Sequence, residues 1–100
     1  MRIIALSTLK SFWNENKACR DARDPVLAWY RQVLEADWSK PSNVKKDFAS
    51  ASILRDGRVV FNIAGNKYRL VVWINYAYRV VYIRFIGTHK QYDKIDAQTI

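Results

Sequence analysis

The only histidine of the chain, His89, stands near its end, with Tyr92 three positions further on. Histidine is the side chain best suited to exchanging protons near neutral pH. Upstream lie Arg69 and Arg84, in stretches rich in Val, Ile and Tyr that contain no acidic residue. The planar fork of an arginine matches phosphate oxygens, and two arginines held close repel each other unless an anion sits between them. A base, an acid and fixed positive charge are groups that together could act on a phosphodiester. No metal or cofactor is expected: one histidine without a cluster of cysteines or carboxylates offers too few ligands, and no glycine-rich nucleotide loop is present.

Strands must position these groups. Arg58–Ala64, Lys67–Tyr76 and Arg79–Ile86 are rich in the β-branched and aromatic residues that fit a pleated surface. Gly65-Asn66 and Ala77-Tyr78 separate them as turns, which gives an antiparallel meander. Alternation sends Val59, Phe61, Ile63, Tyr68, Leu70, Val72, Ile74, Tyr76, Val81, Ile83 and Phe85 to a core. The other face carries Arg58, Asn62, Lys67, Arg69, Val71, Trp73, Tyr82, Arg84 and Ile86. Two-residue turns set Asn62 opposite Arg69, Trp73 opposite Tyr82 and Val71 opposite Arg84. Arg69 and Arg84 are then diagonal neighbours, about 7–8 Å apart at Cβ. Trp73 and Tyr82 form a platform on which an unpaired base can stack.

The first half reads as a short opening strand, Arg2–Leu6, followed by helices. One runs from Ser7 to about Lys17 with Leu9, Phe12 and Trp13 on one face. A second begins at Asp24-Pro25 and runs to about Asp37, with Val26, Leu27, Tyr30, Val33 and Leu34 as its buried stripe. Asn43–Phe48 reads as a helical turn, Asp56-Gly57 as a turn, and about Lys90–Ala97 as a short C-terminal helix. The expected architecture is one α+β domain over residues 1–100, with two N-terminal helices on one face of an antiparallel sheet.

Composition narrows the partner. Seventeen Lys and Arg face nine Asp and Glu, a net charge of +8. Residues 1–57 carry ten basic and seven acidic groups, and residues 58–100 carry seven and two, so the excess concentrates on the strands. That favours a polyanion, nucleic acid above all. Cys19 is the single cysteine, so no intrachain disulfide can form, and it reads as structural. No apolar run approaches the length of a membrane span, and a cytoplasmic protein is expected. A basic module that grips RNA or the ribosome without cutting is the competing reading, since outward arginines on strands are ordinarily just solvated. A DNA-binding regulator is disfavoured by the absence of a basic recognition helix.

The stretches Phe61-Asn62-Ile63-Ala64-Gly65-Asn66-Lys67-Tyr68-Arg69-Leu70 and Val81-Tyr82-Ile83-Arg84-Phe85-Ile86-Gly87-Thr88-His89-Lys90-Gln91-Tyr92-Asp93 resemble the HigB toxins within the RelE-like group. The N-terminal helices match only in character. The resemblance implies a RelE-like fold and cleavage of mRNA, in many relatives on the translating ribosome. It also implies a HigA-type helix-turn-helix antitoxin as partner and contact with operator DNA only through that complex. By position, it implies Arg69, Arg84, His89 and Tyr92 as catalytic residues, with Lys67 and Lys90 beside them as RNA contacts; the strand register adds Asn62, Trp73 and Tyr82 as RNA contacts. The RelE-like group has no fixed triad, so positions carry over better than individual roles.

Overall fold

Strand propensity in the second half is realised as a twisted sheet that the helices of the first half cover on one side. The computed structural model describes residues 1–100. Its elements are β1 (Arg2–Ile4), α1 (Leu6–Glu15), a 3₁₀ segment (Lys17–Ala22), α2 (Arg23–Glu35), α3 (Pro41–Asp47), β2 (Ser52–Ile53), β3 (Arg58–Ile63), β4 (Tyr68–Asn75), β5 (Val80–Thr88) and α4 (His89–Tyr92). The sheet order is β1-β5-β4-β3-β2. The fold is α+β, as expected, with one correction: the sheet is mixed. β1 runs parallel to β5, with Ile3 beside Val81, while all other pairings are antiparallel. A parallel neighbour needs a long crossover, which α1 to β4 together supply.

The core lies between the helices and the inner sheet face. Leu9, Phe12 and Trp13 of α1 and Val26, Trp29 and Val33 of α2 meet Phe61, Ile63, Tyr68, Leu70, Val72, Ile74 and Val81. Phe61 is the hub: its ring lies 5.3 Å from that of Trp29, 5.1 Å from Phe48 and 6.2 Å from Trp38. Cys19 is buried in the same core. No helix is long and apolar enough to cross a membrane.

Two helix expectations shift. α2 begins at Arg23 because the 3₁₀ segment runs straight into it, leaving Ala22 helical and no side-chain cap in use. Pro25 then occupies the third helical position, where a missing N–H still costs no internal hydrogen bond. Trp29 takes the centre of the buried stripe. Leu27 and Tyr30 are left half-buried and Leu34 is 44% exposed. The C-terminal helix is only His89–Tyr92, capped reciprocally by the Thr88 and Gln91 side chains. Beyond it the chain turns back across the outer sheet face, where Ala97, Ile95 and Ile100 pack on Val60, Val71 and Phe85. Residues 95, 97 and 100 do not share one helical stripe, which is why a turning segment buries them better than a helix.

The β4–β5 register carries the main correction. Asn62 faces Arg69 and Trp73 faces Tyr82, as alternation and turn length predict. Between Val72↔Ile83 and Val71↔Phe85, however, β5 has one residue too many, a β-bulge at Arg84. A bulge reverses facing from that point on. Phe85 therefore joins the outer face and Ile86 the core, the opposite of strict alternation, and Val71 faces Phe85 instead of Arg84. β5 also runs two residues further than expected, so Gly87 lies beside Arg69.

Candidate active site

The end of the β4–β5 ladder and the first turn of α4 bring Arg69, His89 and Tyr92 together. An Arg69 Nη2–H points at His89 Nε2 over 2.9 Å, and the same Nη2 donates to Asn66 Oδ1 at 2.9 Å. The guanidinium carbon lies 5.2 Å from the centre of the Tyr92 ring, a cation–π distance. Arg69 can only donate, so as a hydrogen bond this contact uses Nε2 as acceptor and leaves Nδ1 free of it. Asp93 Oδ2 lies 3.5 Å from that Nδ1, one helical turn from His89. Arg69 Nε is buried without a partner, so the guanidinium retains donor capacity beyond these contacts.

Local sequence explains this convergence. Gly87 sits where an added Cβ would come within 2.5 Å of Phe85 Cζ and 2.8 Å of Gln91 Oε1. Only glycine lets α4 fold this tightly back onto the strand. Gln91 Oε1 accepts from the Thr88 N–H at 2.8 Å, fixing the start of α4 and hence the direction of His89.

Arg84 is not brought into this cluster. The bulge sends its guanidinium toward the carbonyl of Ile100, 3.4 Å from Nε, where Arg58 Nε also donates at 3.2 Å. Trp73 and Tyr82 do pack together, ring centres 5.1 Å apart, and the Trp73 indole N–H is held by the Asp56 carbonyl at 2.8 Å. The outer face thus carries two groups: Arg69, His89 and Tyr92 at one end, and Arg58, Arg84, Trp73 and Tyr82 at the other. The segment holding Ile95 and Ala97 lies on Val60 and Val71 between them. Lys67 turns away to an ion pair with Asp21 of the 3₁₀ segment, an oxygen pair that the Tyr68 hydroxyl shares. Those two donors hold the Asp21 carboxyl below its usual range. Burial first, and the bond to Asp21 second, raise the Tyr68 phenol. Asn62 lies half-buried beside Arg69, and Lys90 is exposed on α4.

Sequence reasoning missed Asn66, Asp93 and Arg58. The i, i+4 spacing of His89 and Asp93 on a helix was a usable signal. Asn66 looked like a turn residue only, and the Arg58 contact depends on a fold-back that no local pattern encodes. No group of three or more His, Cys, Asp or Glu side chains comes close enough to hold a metal ion.

Two helices on one face of a mixed sheet that leads into a short C-terminal helix give the chain a RelE-like α+β fold. Residues 22–95 match the family model described as HigB toxin, RelE-like toxic component of a toxin-antitoxin system. The chain is 30% identical over 86 residues to the mRNA interferase toxin HigB of Escherichia coli K12, covering 77% of this chain and 83% of that protein. The mRNA interferase HigB of Shigella flexneri matches to the same extent. That of Escherichia coli O6:H1 is 28% identical over 68 residues, 66% of each chain. The protein belongs to the HigB toxin family.

Proposed function

We propose that this protein is an mRNA interferase, an endoribonuclease that arrests translation by cutting mRNA on the ribosome in the cytoplasm, and that a HigA-type antitoxin neutralises it. The contact of Arg69 with the Nε2 of His89 carries this reading. A lone pair on Nε2 is what a general base needs, and Arg69 occupies it only until an anion competes for the guanidinium. When a phosphate takes the Arg69 N–H groups, Nε2 is freed at the distance where a 2′-hydroxyl would sit.

In this mechanism His89 takes the 2′-hydroxyl proton, and the 2′-oxygen attacks the adjacent phosphorus. The bond to the 5′-oxygen breaks, and that oxygen collects a proton, for which Tyr92 is the cluster's own hydroxyl. Arg69 stabilises the charge gathering on the non-bridging oxygens. Asp93 orients the imidazole. Arg84 and Arg58 hold the RNA backbone further along, and Trp73 and Tyr82 stack a base. Asn62 and Lys90 flank the cleavage end, and Lys67, held by Asp21, takes no direct part.

The test is incubation of the purified protein with mRNA, in EDTA without ribosomes and, with ribosomes, in the magnesium that keeps them intact. Fragments ending in a 2′,3′-cyclic phosphate and beginning with a 5′-hydroxyl are expected. Products bearing a 5′-phosphate, or RNA retention without scission, would remove the mechanism and leave a binding module.

A further inference from the structure

The apolar face of α2 is wider than the core uses. Leu27 and Tyr30 are half-buried and Leu34 is exposed, although all three extend the stripe of Val26 and Val33. Between α1 and α2, Leu27 and Tyr30 of this surplus join Leu6 and Trp13 as the floor of a furrow of about 560 Å³. Lys10, Arg23 and Arg31 stand on its rim, and it continues past Asn14 to Arg20. No carboxylate lines either part. α1 and α2 cover the inner face of the sheet, so the furrow lies on the far side of the molecule from Arg69 and His89.

We infer that this furrow docks an acidic amphipathic helix of a partner protein, which in a toxin–antitoxin family is the cognate antitoxin. An amphipathic helix lays anchors at i, i+3, i+4 and i+7 into such a floor while its flanks meet the rim, and acidic flanks fit a rim of cations. RNA fits less well: Trp13 is only 5% exposed and offers no open ring for a base. A second copy of this chain fits less well too, because a two-fold contact sets the same cationic rim against itself. The inference rests on membership in the toxin–antitoxin family and not on the cleavage mechanism.

The probe is a labelled synthetic peptide of about four helical turns, leucine at the anchor positions and glutamate elsewhere. Saturable binding is expected, with displacement by the purified cognate antitoxin. Lys10→Glu with Arg31→Glu, and separately Leu27→Ser, should each weaken it at least about tenfold. Lys46→Glu, on α3, and Arg69→Ala should leave it unchanged, so loss of cleavage and loss of docking separate. Circular dichroism checks that each variant is folded. Four results overturn the inference: no peptide binding; equal binding of a scrambled peptide of the same composition; failure of the antitoxin to displace it; or self-association of the protein that the double charge variant abolishes. Displacement of the peptide by a single-stranded RNA oligomer in the Arg69→Ala background would assign the furrow to nucleic acid instead.

Discussion

Arg69 donates to the Nε2 of His89 across 2.9 Å, linking one end of the outer sheet face to the only imidazole of the chain. Twenty residues separate the two in sequence, and a β-ladder that pairs Arg69 with Gly87 and ends on Thr88, the residue before His89, brings them together. In the proposed mechanism a phosphate replaces the imidazole as partner of the guanidinium and frees Nε2 to act as base.

His89→Gln keeps a polar group of similar reach but cannot exchange a proton at neutral pH. Cleavage should fall about 10²–10⁴-fold, the range for losing general acid–base catalysis. Single-turnover rates at saturating RNA measure it. A wild-type rate in the variant would end the assignment of His89 as base.

Arg69 and Arg84 should separate kinetically. Arg69→Ala removes charge stabilisation at the reacting phosphate and should lower kcat about 10²–10³-fold. Arg84 belongs with Arg58 at the other end of the face, so Arg84→Ala should mainly raise KM. It should also reduce the slope of log affinity against log salt by about 1, as one phosphate contact is lost. Equal loss of kcat in both variants would return Arg84 to the cluster.

The Asp21–Lys67–Tyr68 group predicts where stability fades with pH. The Asp21 carboxyl is lowered by its hydrogen bonds to Lys67 and Tyr68, so its contribution is present above the ordinary carboxylate range and is lost as pH falls through the folded value. The Tyr68 phenol is raised, chiefly by burial, so its contribution is full below pH about 10 and is lost as pH rises further. Melting temperatures across pH should fall at both ends. Asp21→Asn should flatten the acid limb and Tyr68→Phe the alkaline one. Unaltered limbs in these variants would show that other groups set the profile.

Much of this architecture was legible because strand alternation and turn chemistry are local. The facing of Tyr68, Leu70, Val72 and Ile74 against Arg69, Val71 and Trp73 follows from period two, and the pairing of Asn62 with Arg69 from turn length. The bulge at Arg84 was not legible. Nothing in Tyr82-Ile83-Arg84-Phe85 marks the extra residue, and the gain that drives it, seating Phe85 on Val71 and Ile86 in the core, is tertiary. The same bulge is why two arginines expected side by side lie in different groups. The fold-back of Ile95, Ala97 and Ile100 is tertiary as well. Lys67 is tied to Asp21 across forty-six positions, a pairing that depends on where the 3₁₀ segment settles. The strand Ser52–Ile53 is too short to carry a period, although the Asp56-Gly57 turn that joins it to β3 was clear from its residues.

Gly87→Ala tests whether α4 is held where the cluster needs it. The new Cβ would meet Phe85 Cζ at 2.5 Å and Gln91 Oε1 at 2.8 Å, closer than real contacts allow. Phe85 is packed on Val71 and cannot swing aside freely, so Gln91 must yield, and its bond to the Thr88 N–H goes with it. The cost should be about 1–3 kcal/mol, typical of overpacking. Because that bond fixes the start of α4, His89 should also lose its contact with Arg69, and cleavage per folded molecule should fall. Gly65→Ala is the control. Its φ of +69° strains a side chain by about 1–2 kcal/mol, but no atom lies within 4 Å of the new Cβ. Gly65→Ala should therefore lose stability and keep its cleavage rate, with urea midpoints and single-turnover rates read on the same samples. If Gly87→Ala is destabilised yet cuts at the wild-type rate, the direction of α4 does not govern the chemistry.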